Sequence, residues 1–407
     1  MSVSFKEYID SQLLENRKAV IYSVAQVAEK KNINIYIIGG IVRDLILHNA
    51  IKDIDIVVES DAIEFCKSLE GFLDCKIISV QENLRTAKVL FFNDIEIDFA
   101  STREEKYEKS GFLPVAYNFG CPLKKDVMRR DFTINTLAIS LTGESKYSLV
   151  DYCGGYNDIL NKKIRVLHDK SFVDDPSRII RALKFQVRFD FEIEENTNNL
   201  LKQYLDNVDY SMPLERIKSE FRQYFSIEKK GLYFKIIDTK AYKLISDNPF
   251  INFDENFFKN LDLNYLYNKD ELWFVYIVLL IVNSKIAYER LNMSAFEKKI
   301  IKEVQELLLL YPLNIEDKKF LYKTFNDRID LSILIYYVMT QDKAVKRFYD
   351  VLHEIKVLIT GKDLIELGFI PSPYFNELFE RVLNEKLEGN LKTKKEEIDF
   401  VKQFIKK

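Results

Sequence analysis

The chain has 407 residues, 47% apolar and 30% charged, with 12 Gly and 8 Pro, so it has the material for two to four packed domains and is neither disordered nor collagenous. A net charge of −3 excludes a polycation, leaving any contact with a polyanion to local basic surfaces. Four cysteines (Cys66, Cys75, Cys121, Cys153) and three histidines (His48, His168, His353) show no metal-like spacing and read as cytosolic thiols and scattered rings.

In chain order, Ile9, Leu13, Val20 and Val24 recur at helical spacing and predict one amphipathic helix over 5–31. Acidic residues early in that segment and the lack of an apolar stretch argue against a secretory signal. The period then changes. Ile35–Ile38, Asp53–Val58, Cys75–Ile78, Ala87–Phe92 and Ile95–Phe99 read as short strands among helices and turns, with Asn93-Asp94 joining the last two as a hairpin. Beyond about Asp169 the pattern is helical to the end. The eleven-residue apolar run Leu272–Val282 is too short to span a bilayer and predicts a buried helix; Gly and Pro near 360–373 precede a charged terminal helix.

Six features carry chemistry. Gly39-Gly40, between a strand and a helix, permits a tight turn whose backbone N–H groups can approach phosphate, although such pairs are usually plain turns. Asp53 and Asp55 fall on one strand face at period two, where two carboxylates repel unless a hard divalent cation relieves them; a lone pair of this kind is more often a solvated face. Asp98 shares a face with Glu96 on another strand and could join them in a two-metal site. Arg129-Arg130-Asp131-Phe132-Thr133-Ile134-Asn135 reads as a helical stretch whose guanidinium forks suit phosphate or ribose oxygens, or as a solvated helix with local ion pairs. Asp175 before Pro176 has the form of a helix N-cap, yet with Arg178 it could also pair with a base edge. Eight cations against three acids between Lys162 and Arg188 predict a local positive surface that could follow the phosphates of a polyanion.

The order IIGGIVRDLIL, DIDIVVE, IDFASTREEKY, RRDFTINTLAI, LVDYCGGYNDILNKKIRVL, FVDDPSRIIRALKF and PLERIKSEF resembles the class II tRNA nucleotidyltransferases and their poly(A) polymerase relatives; ITGKDLIELGFIPSPYFNELFERVL is similar to a tail segment of that family. The resemblance implies an α+β fold: a DNA polymerase beta-like nucleotidyltransferase head with a mixed or antiparallel sheet, then an all-α neck, body and tail, with expected bounds 1–140, 141–200, 201–300 and 301–407. It implies Asp53, Asp55 and Asp98 as catalytic acids, the first two as Mg²⁺ ligands. It further implies Gly39, Gly40, Arg43, Arg103, Arg129, Arg130, Asp131, Asn135, Asp175, Arg178 and Arg181 as nucleotide-binding residues, Asp175 and Arg178 reading the base, with Glu215 and Arg216 bracing them.

The function so implied is addition of CMP and AMP, from CTP and ATP, to the acceptor end of tRNA, in the cytoplasm and away from membranes. Departures are DDPSR for the commoner Glu-Asp opening, DYCGG for Asp-Pro before the glycines, and Thr136 where Ala is frequent. CC-only or A-only addition and poly(A) synthesis share the head chemistry. The segment Tyr107–Asn118, between motifs, favours retained A addition, and Gln81–Thr86 lacks the basic stretch expected of a poly(A) polymerase. A catalytically silent RNA-binding protein would lack the acids, and a small-molecule nucleotidyltransferase would not need the Asp175–Arg178 motif.

Overall fold

The computed structural model describes residues 5–92, 94–261, 269–284 and 290–405. It divides into two compact units, Met1–Leu244 and Ile245–Lys407, and is α+β in class.

In the first unit the opening segment forms two helices, α1 (Lys6–Gln12) and α2 (Glu15–Lys30), rather than one. Leu13 and Leu14 leave the helical region with ψ of 145° and 147°, and the Lys18 ammonium closes the corner on the Asp10 carbonyl at 2.8 Å. The break keeps Leu13 buried and lets α2 present Ile21, Val24, Ala25 and Ala28 to the core at helical spacing.

A seven-stranded sheet follows, built from β1 (Ile35–Ile38), β2 (Asp55–Val58), β3 (Cys75–Gln81), β4 (Thr86–Phe91), β5 (Ile95–Ser101), and two later strands named below. Between β1 and β2 lies α3 (Gly40–Ile46), and between β2 and β3 lies α4 (Ala62–Leu69). A separate two-stranded ribbon pairs β6 (Glu104–Lys106) with β7 (Val115–Tyr117), followed by α5 (Leu123–Met128). The sheet then takes β8 (Ala138–Ser140) and β9 (Leu149–Val150), giving the order β3-β4-β5-β2-β1-β8-β9. Pairing is antiparallel throughout except between β2 and β5. Asn93, in the expected turn between β4 and β5, lies outside the described residues.

Alternation sorts the faces. Ile95, Ile97 and Phe99 of β5 are buried, with Phe99 packing on Phe65 of α4 and Phe91 of β4, while Glu96 and Asp98 point the other way. The remaining helices of this unit are α6 (Gly155–Leu160), α7 (Ser171–Asp174), α8 (Ser177–Phe189), α9 (Glu195–Asp206), α10 (Glu215–Phe225) and α11 (Leu232–Asp238), with one small parallel pair, Lys163–Ile164 on Glu192–Ile193.

The second unit is helical. The apolar run forms the helix Leu272–Ile281, buried from Phe274 through Ile281. Ala295–Leu310 begins with a capping box of Ser294 and Glu297, and the terminal helix Lys394–Lys402 with one of Thr393 and Glu396. Among the described residues no helix is long and apolar enough to cross a membrane.

Candidate active site

At the end of β1 the chain turns through Gly39, whose φ of +80° lies in the left-handed region. A Cβ there would also stand 3.1 Å from the Arg130 guanidinium, so that side chain would have to give way by a few tenths of an ångström. Gly39 is thus where the β1–α3 turn meets the arginine-bearing segment after α5.

On the neighbouring strands, parallel pairing makes Asp55 and Asp98 direct Cα partners, and Asp53 lies just before β2. Asp55 is exposed at the start of β2, yet the protein packed around its carboxyl partly desolvates it, and this, then the Asp98 and Asp53 carboxylates, push it above its ordinary range, opposed by Arg130 and Lys88. Lys88 answers part of the excess charge at 3.2 Å from Asp98 and 3.2 Å from Glu96. Oxygen donors carrying unrelieved negative charge suit a hard divalent cation. Among the described residues, however, no three acid, His or Cys side chains already converge as a metal cage. The donor set therefore fits such an ion in chemistry, without a preformed shell.

Beside these acids opens a cavity of about 610 Å³ whose lining contains Gly39, Gly40, Arg43, Arg103, Arg129, Arg130, Asp131, Asn135, Asp175, Arg178 and Arg181. Every nucleotide-binding candidate from the sequence thus reaches one cavity; Asp53, Asp55 and Asp98 lie outside its lining.

The arginines are held by acids that the motif reading missed. Asp126, fully buried on α5, accepts from Arg129 Nε and Nη2 (3.0 and 2.8 Å), from Arg130 Nη2 (3.1 Å) and from the Arg103 backbone (3.1 Å). Glu105 on β6 takes Arg103 Nε and Nη2 (3.0 and 2.9 Å) and Arg129 Nη1 (3.0 Å). Burial raises the Asp126 carboxyl, but Arg130 and Arg129 outweigh it and hold it below its ordinary value. Its signal was present in the sequence: Asp126 stands three and four residues before Arg129 and Arg130 on a helix. Glu105, by contrast, meets Arg129 only through tertiary folding. Arg130 Nε and Arg216 Nη1 remain buried without hydrogen-bond partners, leaving donor capacity in this cationic wall.

The stretch 129–135 is not a continuous helix. α5 ends at Met128, Phe132 is extended at φ −133° and ψ 151°, and only Thr133–Asn135 form a turn of 3₁₀ helix. The Asp131 carboxylate accepts from the Phe132 backbone N–H at 2.8 Å, a local bond that competes with helix continuation. Burial raises Asp131 as well, yet Arg181 and the Asn135 amide prevail and bring it to about 2. Asn135 also accepts from Arg43 Nη1, and Arg43 bonds Asp44 and lies over the rings of Phe185 and Phe189 on α8. Arg43 is buried by these contacts and acts here as a clip between α3 and α8.

Asp175 and Arg178 flank the start of α8. Oδ1 of Asp175 accepts from Ser177 N and Oγ at 3.1 and 2.6 Å, so it does cap the first turn, while Oδ2 pairs with Arg216 of α10. Glu215 is exposed; the second brace from α10 is Glu220, which pairs with Arg181 and Lys184 at 3.1 and 2.6 Å. The segment Tyr107–Asn118 reaches the same place: Gly111 N donates to the Asp174 carbonyl at 3.1 Å, and Leu113 and Pro114 line the cavity.

The positive surface expected over 162–188 is largely compensated. Lys163 pairs with Glu192, Arg165 with Asp158 and Glu194, Arg181 with Asp131, and Arg188 with Asp44. Counting charge along the segment overlooked acids delivered by other elements.

Comparison with known proteins finds the same fold. A poly(A) polymerase head-domain model matches residues 35–165. The A-adding tRNA nucleotidyltransferase of Geobacter sulfurreducens is 32% identical over 93% of this chain, and that of Halalkalibacterium halodurans 27% over 98%. The chain spans 46% of the first relative's length and 95% of the second's. A solved CCA-adding enzyme in an apo form superimposes with a TM-score of 0.80 at 26% identity, covering 99% of both chains. The fold is that of a polymerase beta-like nucleotidyltransferase head followed by helices. Motifs, relatives and fold together support the class II tRNA nucleotidyltransferase family for this chain.

Proposed function

We propose that this chain is a tRNA nucleotidyltransferase that adds AMP to the 3′ end of tRNA. The observation that carries it is the convergence on one cavity of the Arg103–Arg129–Arg130 wall and the Asp175–Arg178 pair, beside Asp55 and Asp98. In this reading the arginines take the triphosphate, their forks matching its oxygens, and Asp175 and Arg178 face the base. Asp131 and Asn135, locked to Arg181 and Arg43, hold the segment on which Arg129 and Arg130 stand. Asp53 and Asp55 would hold a divalent cation, Mg²⁺, with Asp98 beside them; such an ion supplies charge stabilisation for attack by a 3′-hydroxyl. The new bond joins the RNA 3′-oxygen to the α-phosphorus, the bond to the β-phosphate oxygen breaks, and pyrophosphate leaves. The chain's own share is to place donor and acceptor in line and surround the developing charge with fixed donors.

AMP addition is the step that the A-adding relatives and the CCA-adding enzyme have in common by name. A second reading, CMP addition before AMP and hence full CCA synthesis, is favoured by the likeness over 99% of both chains to a CCA-adding enzyme. Three tRNA transcripts, ending before CCA, after C and after CC, each given Mg²⁺ with labelled CTP, ATP or both, separate them. A single AMP on the CC-ended transcript supports the proposal. Extension of the shortest transcript to CCA establishes the second reading, and long A tails on unrelated RNA would make the protein a poly(A) polymerase. Failure to add AMP to the CC-ended transcript overturns both tRNA readings.

A further inference from the structure

The Asp175–Arg178 pair is held by two serines to which the proposed function assigns nothing. Ser171 on α7 and Ser177 at the head of α8 are 0% and 2% exposed, so water does not compete for their hydroxyls. Ser177 Oγ donates to Asp175 Oδ1 at 2.6 Å, alongside the Ser177 backbone N–H at 3.1 Å, and Arg216 occupies Oδ2. A carboxylate has roughly four acceptor positions. Three are thus engaged, leaving one for an incoming exocyclic amine. That remaining position suits N6 of adenine and N4 of cytosine equally, so Asp175 by itself does not tell them apart.

Discrimination falls to the arginine. Arg178 Nη1 donates to Ser171 Oγ at 2.6 Å, and Nη2 to the Arg129 carbonyl at 3.1 Å and the Tyr107 hydroxyl at 3.4 Å. Both ends of the guanidinium are tied, and its plane is set before a nucleotide arrives. Adenine offers one ring acceptor, N1, beside its amine; cytosine offers two, N3 and O2, and needs the fork turned so that two donors face it. The Arg129 and Tyr107 ties come from segments placed by the head and the β6–β7 ribbon. The Ser171 tie comes from the turn immediately before α8, at the side chain's own level.

We infer that Ser171 is a specificity-determining positioning residue: its hydroxyl locks the Arg178 fork in the orientation that serves adenine, and its loss frees the fork to serve cytosine. The inference rests on the proposed placement of the base against Asp175 and Arg178. Ser177 has a different role, presenting Asp175 to the amine that both bases share.

The test compares wild type, Ser171→Cys, Ser171→Thr and Ser177→Ala on a CC-ended tRNA transcript, reading kcat/KM for ATP and for CTP, with calorimetric binding of each nucleotide and Mg²⁺ in the absence of RNA. Cys keeps the volume at 171 but is a weak acceptor, and Thr keeps the hydroxyl. For Ser171→Cys the ATP:CTP preference should fall about tenfold, the scale of one charge-assisted hydrogen bond, with Ser171→Thr close to wild type. Ser177→Ala should weaken ATP and CTP by the same factor and leave their ratio alone. An unchanged ratio in Ser171→Cys, in turnover and in binding, overturns the inference while wild-type AMP addition still upholds the proposed function. A wild type that transfers no nucleotide removes both. Thermal melts of each variant identify misfolding, and a folded Ser171→Thr that loses both nucleotides equally would also count against the inference.

Discussion

Asp55 sits opposite Asp98 on a parallel strand and two residues from Asp53, a cluster of like charge with Lys88 and Arg130 as its neutralising neighbours. Its folded-state carboxyl is raised above the ordinary value of about 3.9, so the folded protein holds that proton more tightly than the unfolded chain. The sign follows: stability associated with Asp55 is present at low pH and is lost as pH rises through its folded value. At neutral pH without divalent ion, Asp55→Asn should therefore raise the melting temperature while reducing nucleotide transfer by about a thousandfold or more, since metal charge stabilisation is worth several kcal/mol. Added Mg²⁺ should stabilise wild type and leave the variant's melt unmoved. Equal stabilisation of the two by Mg²⁺ would remove Asp55 as a ligand.

Asp131 shows the opposite sign. Held at about 2 against burial by Arg181 and Asn135, it contributes stability that is complete above its unfolded value and lost as pH falls toward 2. Asp131→Asn leaves Arg181 facing one acid, Glu220, and should cost about 3 kcal/mol near neutrality, with the difference from wild type shrinking in acid melts. An undiminished difference at low pH would place the loss in packing instead.

At the scale of elements, α5 and β6 matter through what they hold rather than what they expose. Asp126→Asn removes charge from a buried acceptor of Arg129 and Arg130. The expected result is a rise of roughly tenfold or more in KM for ATP, with a smaller change for AMP binding, because in the proposed function the arginine wall takes the triphosphate. Equal losses for ATP and AMP would mean general disorder of the site. The 3₁₀ turn Thr133–Asn135 rests directly on the start of α6: a Cβ on Gly155 would stand 2.2 Å from the Thr133 carbonyl oxygen. No rotamer relieves a backbone clash, so Gly155→Ala should destabilise by about 2–3 kcal/mol and misplace Asn135, seen as a lowered melt together with weaker ATP binding. A variant with wild-type melting would show that the turn can yield.

These elements also show which features could be read beforehand. Strands β1 to β5, α3 and the apolar helix at 272–281 follow from periodicity; the short strands β6 to β9, the corner at Leu13–Leu14 and the interruption after Met128 do not. At each of the two helix breaks a side-chain bond to backbone, from Lys18 or to Asp131, competes with helix continuation.

For the whole molecule, the two units each carry their own apolar core, Phe99 and Ile139 among the buried residues of one, Leu321 and Ile333 of the other. A fragment of residues 1–244 contains every residue lining the cavity proposed to take the nucleotide. It should fold cooperatively and bind ATP within about threefold of the full chain, measured by calorimetry, and bind tRNA more weakly with a shallower dependence on salt, measured by titration at several ionic strengths. If the fragment binds tRNA as the full chain does, residues 245–407 take no part in RNA affinity.

The features legible along the chain are local: the glycine turn, the alternation that puts Asp53 and Asp55 on one side and Ile54 and Ile56 on the other, the α-helical half, and an ordered set of motifs that resembles one enzyme family. These depend on neighbours a few residues away, and period and backbone conformation report them directly. Folding alone brings Asp98 opposite Asp55, joins Glu105 to Arg129, and sets Glu220 and Arg216 of α10 against α8 and the Asp175 carboxylate before it. Those contacts join residues far apart in the chain through strand pairing and helix packing, and charge counted along a segment contains no trace of the partners that folding brings to it.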